Sequence, residues 1–172
     1  MERYYFDHNA TTPVSPEVIQ AMVSCLAEVY GNASSIHHFG QGAKQRLEAA
    51  RRQVAALVNA SAAEIVFTSG GTEANNLAIL GLTRASAAAR KHVVTCAIEH
   101  PAVLSPAKQL GAEGVDITCL RVGQSGIVSP EDVRRAMRPD TVLVSVMHAN
   151  NELGTLQPIA EIAQIAHACG AP

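Results

Sequence analysis

The sequence predicts an α/β fold, with helices packed on a largely parallel sheet. Short apolar stretches alternate with amphipathic ones from residue 65 onward, and repeated strand–helix units build parallel sheets. Two helix starts share a signature, Ser15-Pro16-Glu17 and Ser129-Pro130-Glu131. Each offers a capping hydroxyl, a proline at the first helical position and an acid in the first turn. Polar loops follow the apolar stretches, where open α/β sheets place ligands.

Taken in order, Tyr4-Tyr5-Phe6 reads as a short strand, followed by the loop Asp7-His8-Asn9-Ala10-Thr11-Thr12-Pro13. The first helix runs from its Ser15 cap to about Val29. A polar loop covers Gly31 to Gly40. A longer helix follows, with Ala43, Leu47, Ala50, Val54 and Leu57 spaced alternately by four and three, which makes one apolar stripe. Strands are predicted at 65–68, 93–98, 115–120 and 141–147, and helices at 73–83, 102–111, 130–137 and 158–169. Pro106 must lie in the first turn of its helix or kink it. Gly170 is a natural cap for the last helix, after which a strand is expected.

Composition narrows the function classes. A chain of 172 residues suits one domain and can bury a real core. It is 48% hydrophobic but only 3% aromatic, so small aliphatic side chains must fill that core. A net charge of −2 gives no reason to expect nucleic acid or an anionic membrane as partner. No apolar run is long enough to span a bilayer, and Met1-Glu2-Arg3-Tyr4 opens no signal-peptide core. The expected compartment is the cytoplasm. Cys25, Cys96, Cys119 and Cys169 form no C-x-x-C pair and are expected to be buried, inert thiols. No metal site is expected; the adjacent His37 and His38 point away from a single ion and suit a surface or site-rim loop.

Three loops carry chemistry. The most informative stretch runs from Ile65 to Ile79, where an apolar segment enters Ser69-Gly70-Gly71-Thr72 and an amphipathic helix begins near Glu73. Glycines allow close backbone approach, and the first helical N–H groups point outward with the positive helix end behind them, which suits a phosphate. No Lys follows the glycines as a Walker loop requires, and the dinucleotide pattern is absent. Local pattern alone fits a ligand-free glycine turn equally well. The second loop is Glu99-His100-Pro101 and the third is His148–Thr155. Together the loops offer a phosphate cradle, an imidazole and a carboxamide. Their plain readings are a histidine that caps the next helix and asparagines that close a turn.

Five ordered stretches carry a family resemblance: Phe6–Pro13, Gly31–His37, Phe67–Asn76, Ile98–Leu104 and Val144–Thr155. Through them the chain resembles the N-terminal part of a cysteine desulfurase of the NifS/IscS type, in the class V aminotransferase group of pyridoxal 5'-phosphate enzymes. The resemblance implies a partial fold type I transferase, like the large domain of aspartate aminotransferase, ending before the Schiff-base lysine. It would comprise an N-terminal strand and loop over 1–15 and an incomplete cofactor-binding large domain over 16–172. It implies that Gly71 and Thr72 bind the cofactor phosphate. By the same resemblance His100 stacks on the ring and moves protons, and Asn151 bonds the phenolic oxygen.

The implied activity takes sulfur from L-cysteine, leaving alanine and an enzyme persulfide, for iron–sulfur cluster assembly or other sulfur delivery. The implied partners are L-cysteine, a sulfur-acceptor or scaffold protein, and a second copy in a homodimer. The family's lysine and nucleophilic cysteine lie beyond the matching stretches, and Lys44, Lys91 and Lys108 lie in helical or surface contexts. The chain alone is therefore expected to be inactive. Rival readings are another class V enzyme such as a selenocysteine lyase, a non-catalytic interaction or dimerisation module, and half of a split enzyme. The family's Gly-Asn-Pro-Ser-Ser loop reads Gly-Asn-Ala-Ser-Ser at Gly31–Ser35.

Overall fold

The computed structural model describes residues 3–172. Its chain forms two compact units that divide between Phe67 and Thr68. In the first, α1 spans Pro16–Glu28 and α2 spans His38–Leu57. The Ser15 hydroxyl caps α1 by accepting the Val18 N–H, as its signature predicts. His37 caps α2, its Nδ1 accepting the Gly40 N–H at 3.3 Å. The loop between them is tight: a Cβ on Gly40 would lie 2.4 Å from the Ser35 carbonyl oxygen, and one on Gly31 2.2 Å from that of Phe39. Both positions therefore require glycine. Arg51 donates to the Ile65 carbonyl and stands over the Phe67 ring, 5.1 Å from its centroid.

The second unit is built on three parallel strands, β1 (His92–Cys96), β2 (Asp116–Leu120) and β3 (Thr141–Val144), in the order β2-β1-β3. All five residues of β1 are buried. A strand covered on both faces shows no apolar–polar alternation, and Val93 and Val94 accordingly pack into different cores. One core joins Val94, Cys96 and Leu120 to Val133 of α6 (Pro130–Ala136) and Ile162 and Ile165 of α7 (Ile159–Ala168). The other joins Val93 and Leu143 to Ile79 and to Val103 and Leu110 of α5 (Pro101–Ala112). Ile79 lies in a π-helical turn, Leu77–Gly81, between α3 (Gly71–Asn76) and α4 (Leu82–Ala85).

Helix ends follow one device. After α2, α5 and α7 the residues Asn59, Gly114 and Gly170 take φ of 54°, 92° and 78°. The next N–H then reaches back to the carbonyl of Ala55, Leu110 or Ala166, which is the paired bonding of a Schellman ending. Beyond Gly170, Ala171 is buried and the Pro172 carbonyl accepts the Val144 N–H. The chain leaving α7 thus starts along the free side of β3.

Several expectations need correction. Tyr4–Phe6 and residues 65–68 form no strand. Strand formation requires pairing with a neighbouring strand, and neither segment belongs to a sheet among the described residues. Their apolar side chains are largely exposed, with Phe6 at 89% and Val66 at 67%. Of the two places expected for Pro106, the first turn is excluded, since it lies in the second turn of α5. Only Cys96 is buried; Cys25, Cys119 and Cys169 are exposed.

His92 ties the sheet together at its amino end. Its ring is fully buried, with Nδ1 2.8 Å from Thr141 Oγ1 and Nε2 2.8 Å from Thr118 Oγ1. Thr141 Oγ1 also accepts the Arg138 N–H, and the neutral ring donates to one of its two threonine hydroxyls and accepts from the other. Burial, then the Arg138 charge, holds the ring's pKa below its ordinary 6.5. Above that value the ring is neutral in folded and unfolded chains alike, and the full stability is present. Below it the unfolded chain takes up the proton first, so stability falls with falling pH, by up to about 1.4 kcal/mol per pH unit until the folded ring titrates. Chemical unfolding at pH 7 and pH 5 should show this loss, and His92→Gln should show a smaller one.

Candidate active site

Three loops of the second unit hold every residue singled out for the site. The first enters α3. Gly70 is its cap, and Gly71, Thr72 and Glu73 form its first turn, where N–H groups have no intrahelical partner. A Cβ on Gly70 or Gly71 would meet nothing within 4 Å, so this backbone is open to a ligand. The Glu73 carboxylate folds back to accept the Ser69 N–H and hydroxyl at 2.7 and 2.6 Å. Those bonds hold its pKa below the ordinary value.

The second loop leaves β1. His100 is the cap of α5, its Nδ1 accepting the Ala102 N–H at 3.0 Å. The plain capping role is thus real, and it also fixes the ring. With Nδ1 occupied as an acceptor, the neutral ring carries its hydrogen on Nε2, the nitrogen left free to exchange a proton. Thr72, Asn76 and His100 line one shallow cleft of about 360 Å³ between α3 and α5, at the small end of ligand-sized pockets.

The third loop leaves β3 and is closed on itself. Ala149 and Leu156 form an antiparallel bridge, and the Asn150 N–H reaches the Thr155 carbonyl. The two asparagines divide the work. Asn150 is buried at 6% exposure; its Oδ1 accepts the Glu152 and Leu153 N–H groups and its Nδ2 donates to the Ile98 carbonyl at 2.9 Å. Asn151 is exposed, and its carboxamide has no hydrogen bond among the described residues. It lies on the loop tied to that of His100 but does not line the Thr72–His100 cleft.

Glu99 was given no role by the sequence reading, although it precedes His100. It is 7% exposed, and its Oε1 accepts the Met147 N–H at 2.6 Å and faces the Cys96 thiol at 3.4 Å. Burial raises its pKa against those bonds. Burial, followed by the Glu99 charge, pushes the Cys96 thiol up to about 12, which makes it a packing residue and not a nucleophile. Lys91 precedes β1, at the opposite end of the strand from His100, and its Nζ donates to the Arg84 carbonyl. Lys108 lies on α5, and Lys44 belongs to α2 of the first unit. Among the described residues, no group of three or more His, Cys, Asp or Glu could hold a metal ion, and no helix is long and apolar enough to cross a membrane.

Asn150→Ala should cost about 1–3 kcal/mol, because it removes three hydrogen bonds that close the loop and tie it to Ile98. Asn151→Ala should stay within about 0.5 kcal/mol, as for an unpartnered surface site. Denaturant unfolding of both variants checks the division between these neighbours.

The match to known proteins follows this geometry. The family model described as "Aminotransferase class-V" matches residues 4–172. A cysteine desulfurase IscS of Dictyoglomus turgidum is 49% identical over 162 residues, covering 94% of this chain and 41% of that protein. Among solved structures, "SspA in complex with cysteine" superposes with a TM-score of 0.93 at 39% identity, over 98% of this chain and 48% of that one. A "NIFS-LIKE PROTEIN" gives 0.93 at 37% identity, over 98% and 46%. The chain thus spans a little under half the length of the proteins it matches, with the fold of the corresponding part of a fold type I pyridoxal phosphate enzyme. It belongs to the class V aminotransferase family, in which it resembles the N-terminal part of cysteine desulfurases of the NifS/IscS type.

Proposed function

We propose that this chain supplies one wall of a pyridoxal 5'-phosphate site in a cysteine desulfurase. The observation that carries the reading is the placement of Thr72 and a ring-fixed His100 on one cleft beside the open first turn of α3. The residues present fit the cofactor. Outward N–H groups of Gly71 and Thr72, with the Thr72 hydroxyl, suit a phosphate. The capped imidazole offers a fixed planar face, and the free carboxamide of Asn151 can donate to a phenolate.

When bound, the cofactor supplies an electron sink at the substrate's α-carbon. His100 exchanges a proton at Nε2, since Nδ1 is held by the Ala102 N–H. Asn151 and Thr72 orient. L-Cysteine is the substrate, sulfur leaves as an enzyme persulfide for a sulfur-acceptor or scaffold protein, and the intact enzyme is a cytoplasmic homodimer. The 172-residue chain is inactive alone, because none of Lys44, Lys91 and Lys108 lines the Thr72–His100 cleft.

Borohydride reduction of the chain with pyridoxal 5'-phosphate, followed by peptide mapping, should give no stoichiometric adduct at those lysines. Non-covalent binding should persist weakly and be displaced by inorganic phosphate, since helix-terminus electrostatics contribute only about 0.3–2 kcal/mol. Stoichiometric labelling of one lysine would overturn the reading of an incomplete site. In a full-length enzyme carrying this segment, His100→Ala should lower turnover by about 10²–10⁴-fold while the cofactor is retained. Unchanged turnover with normal cofactor content would remove His100 from proton transfer.

A further inference from the structure

The loops bearing His100 and Asn151 leave different strands, and two reciprocal bonds join them. Glu99, on the loop after β1, accepts the Met147 N–H of the loop after β3 at 2.6 Å. Asn150, on the loop after β3, donates to the Ile98 carbonyl of the loop after β1 at 2.9 Å. Each bond runs from a buried side chain to backbone, and each side chain immediately precedes a proposed site residue in sequence. We propose that Glu99 and Asn150 are positioning residues, a two-way clamp that sets the spacing between His100 and Asn151. The proposal rests on the reading that those two residues face one cofactor.

Three features favour a positioning role over simple packing. First, both side chains are buried polar groups, and burying a carboxylate or a carboxamide costs free energy that only its hydrogen bonds offset. Second, the bonds cross between the loops. The Asn150 carboxamide also accepts the Glu152 and Leu153 N–H groups, so one side chain shapes its own loop and fastens it to the other. Third, the Glu99–Met147 bond is charge-assisted when Glu99 is ionised, and such bonds are shorter and stronger than neutral ones. A site built from two loops needs its supporting bonds to hold the reacting groups within about 0.5 Å.

Hydrogen exchange of the 172-residue chain tests the clamp without any ligand. Glu99→Leu should accelerate exchange of the Met147 amide at least tenfold, whereas Glu99→Gln, which keeps an acceptor oxygen, should leave it protected. Asn150→Asp keeps the acceptor for Glu152 and Leu153 and loses the Nδ2 donor, which serves the Ile98 carbonyl and also the Met147 sulfur at 3.2 Å. It should leave those two amides protected while Met147 exchanges faster, and it supplies the test should the Leu variant fail to fold. Binding of pyridoxine 5'-phosphate, which has no aldehyde to react with lysines, supplies the functional arm. Glu99→Leu and Asn150→Asp should weaken it about tenfold, as His100→Ala should, and Glu99→Gln should restore it.

Unchanged Met147 exchange in Glu99→Leu and Asn150→Asp overturns the clamp. So does wild-type probe affinity in both variants when His100→Ala and Asn151→Ala weaken binding. If His100→Ala and Asn151→Ala leave affinity untouched, the cofactor reading fails instead, and the exchange results still decide whether the two loops are clamped.

Discussion

Parallel pairing of β1 with both neighbours is the constraint on which the second unit depends. Parallel strands cannot be joined by tight hairpins, so each must be followed by a crossover that returns the chain to the same end. That return places the loops after β1 and β3 side by side at the carboxyl end of the sheet, the end at which α/β folds assemble ligand sites. The helices required for the crossovers cover both faces of β1, and burial of all five of its residues follows. The site's composition from distant sequence segments is therefore a consequence of how the sheet is made.

Buried polar groups mark the two ends of that sheet, and each is satisfied differently. At the amino end, His92 bridges hydroxyls on β2 and β3 and is held neutral by burial. At the carboxyl end, Glu99 and Asn150 use backbone groups. An imidazole that is neutral near physiological pH suits a position needing one donor and one acceptor. A carboxylate is acceptor-only, and its partners at Glu99 are accordingly donors. The raised pKa of Glu99 reflects a desolvation cost that a purely structural contact could avoid.

Much of this was legible in the sequence, for identifiable reasons. The Ser-Pro-Glu starts of α1 and α6 and the glycine ending of α7 are local signals, and each appears within a residue of its expected place. The strands at 92–96, 116–120 and 141–144 were visible because each holds a short run rich in Val, Ile, Leu and Thr, residues that favour a pleated, packed surface. Segments 4–6 and 65–68 share that preference but gain no partner strand among the described residues, and pairing is a non-local property that composition cannot report. The π-helical turn at Leu77–Gly81 leaves no mark in a pattern read at 3.6 residues per turn. Cys25 and Cys169 were expected to be buried and are exposed, because an apolar side chain on a helix shows its face and not whether anything covers that face.

At the candidate site, sequence reading divided the alternatives too sharply. Capping and the proposed proton exchange looked like rival uses of His100, but the cap bond through Nδ1 orients the ring and leaves Nε2 unoccupied, so the first does not preclude the second. For the paired asparagines, turn formation and ligand binding also looked exclusive. The structure instead gives the turn to Asn150 and leaves the carboxamide of Asn151 free. Spacing alone could not make that distinction, since adjacent residues of one type are separated only by the direction in which the loop turns them. Glu99 went without a role because its partner, the Met147 N–H, is a backbone group 48 residues away. Backbone donors have no sequence signature, so the bonds that hold a site together are harder to read than the residues presented to its ligand.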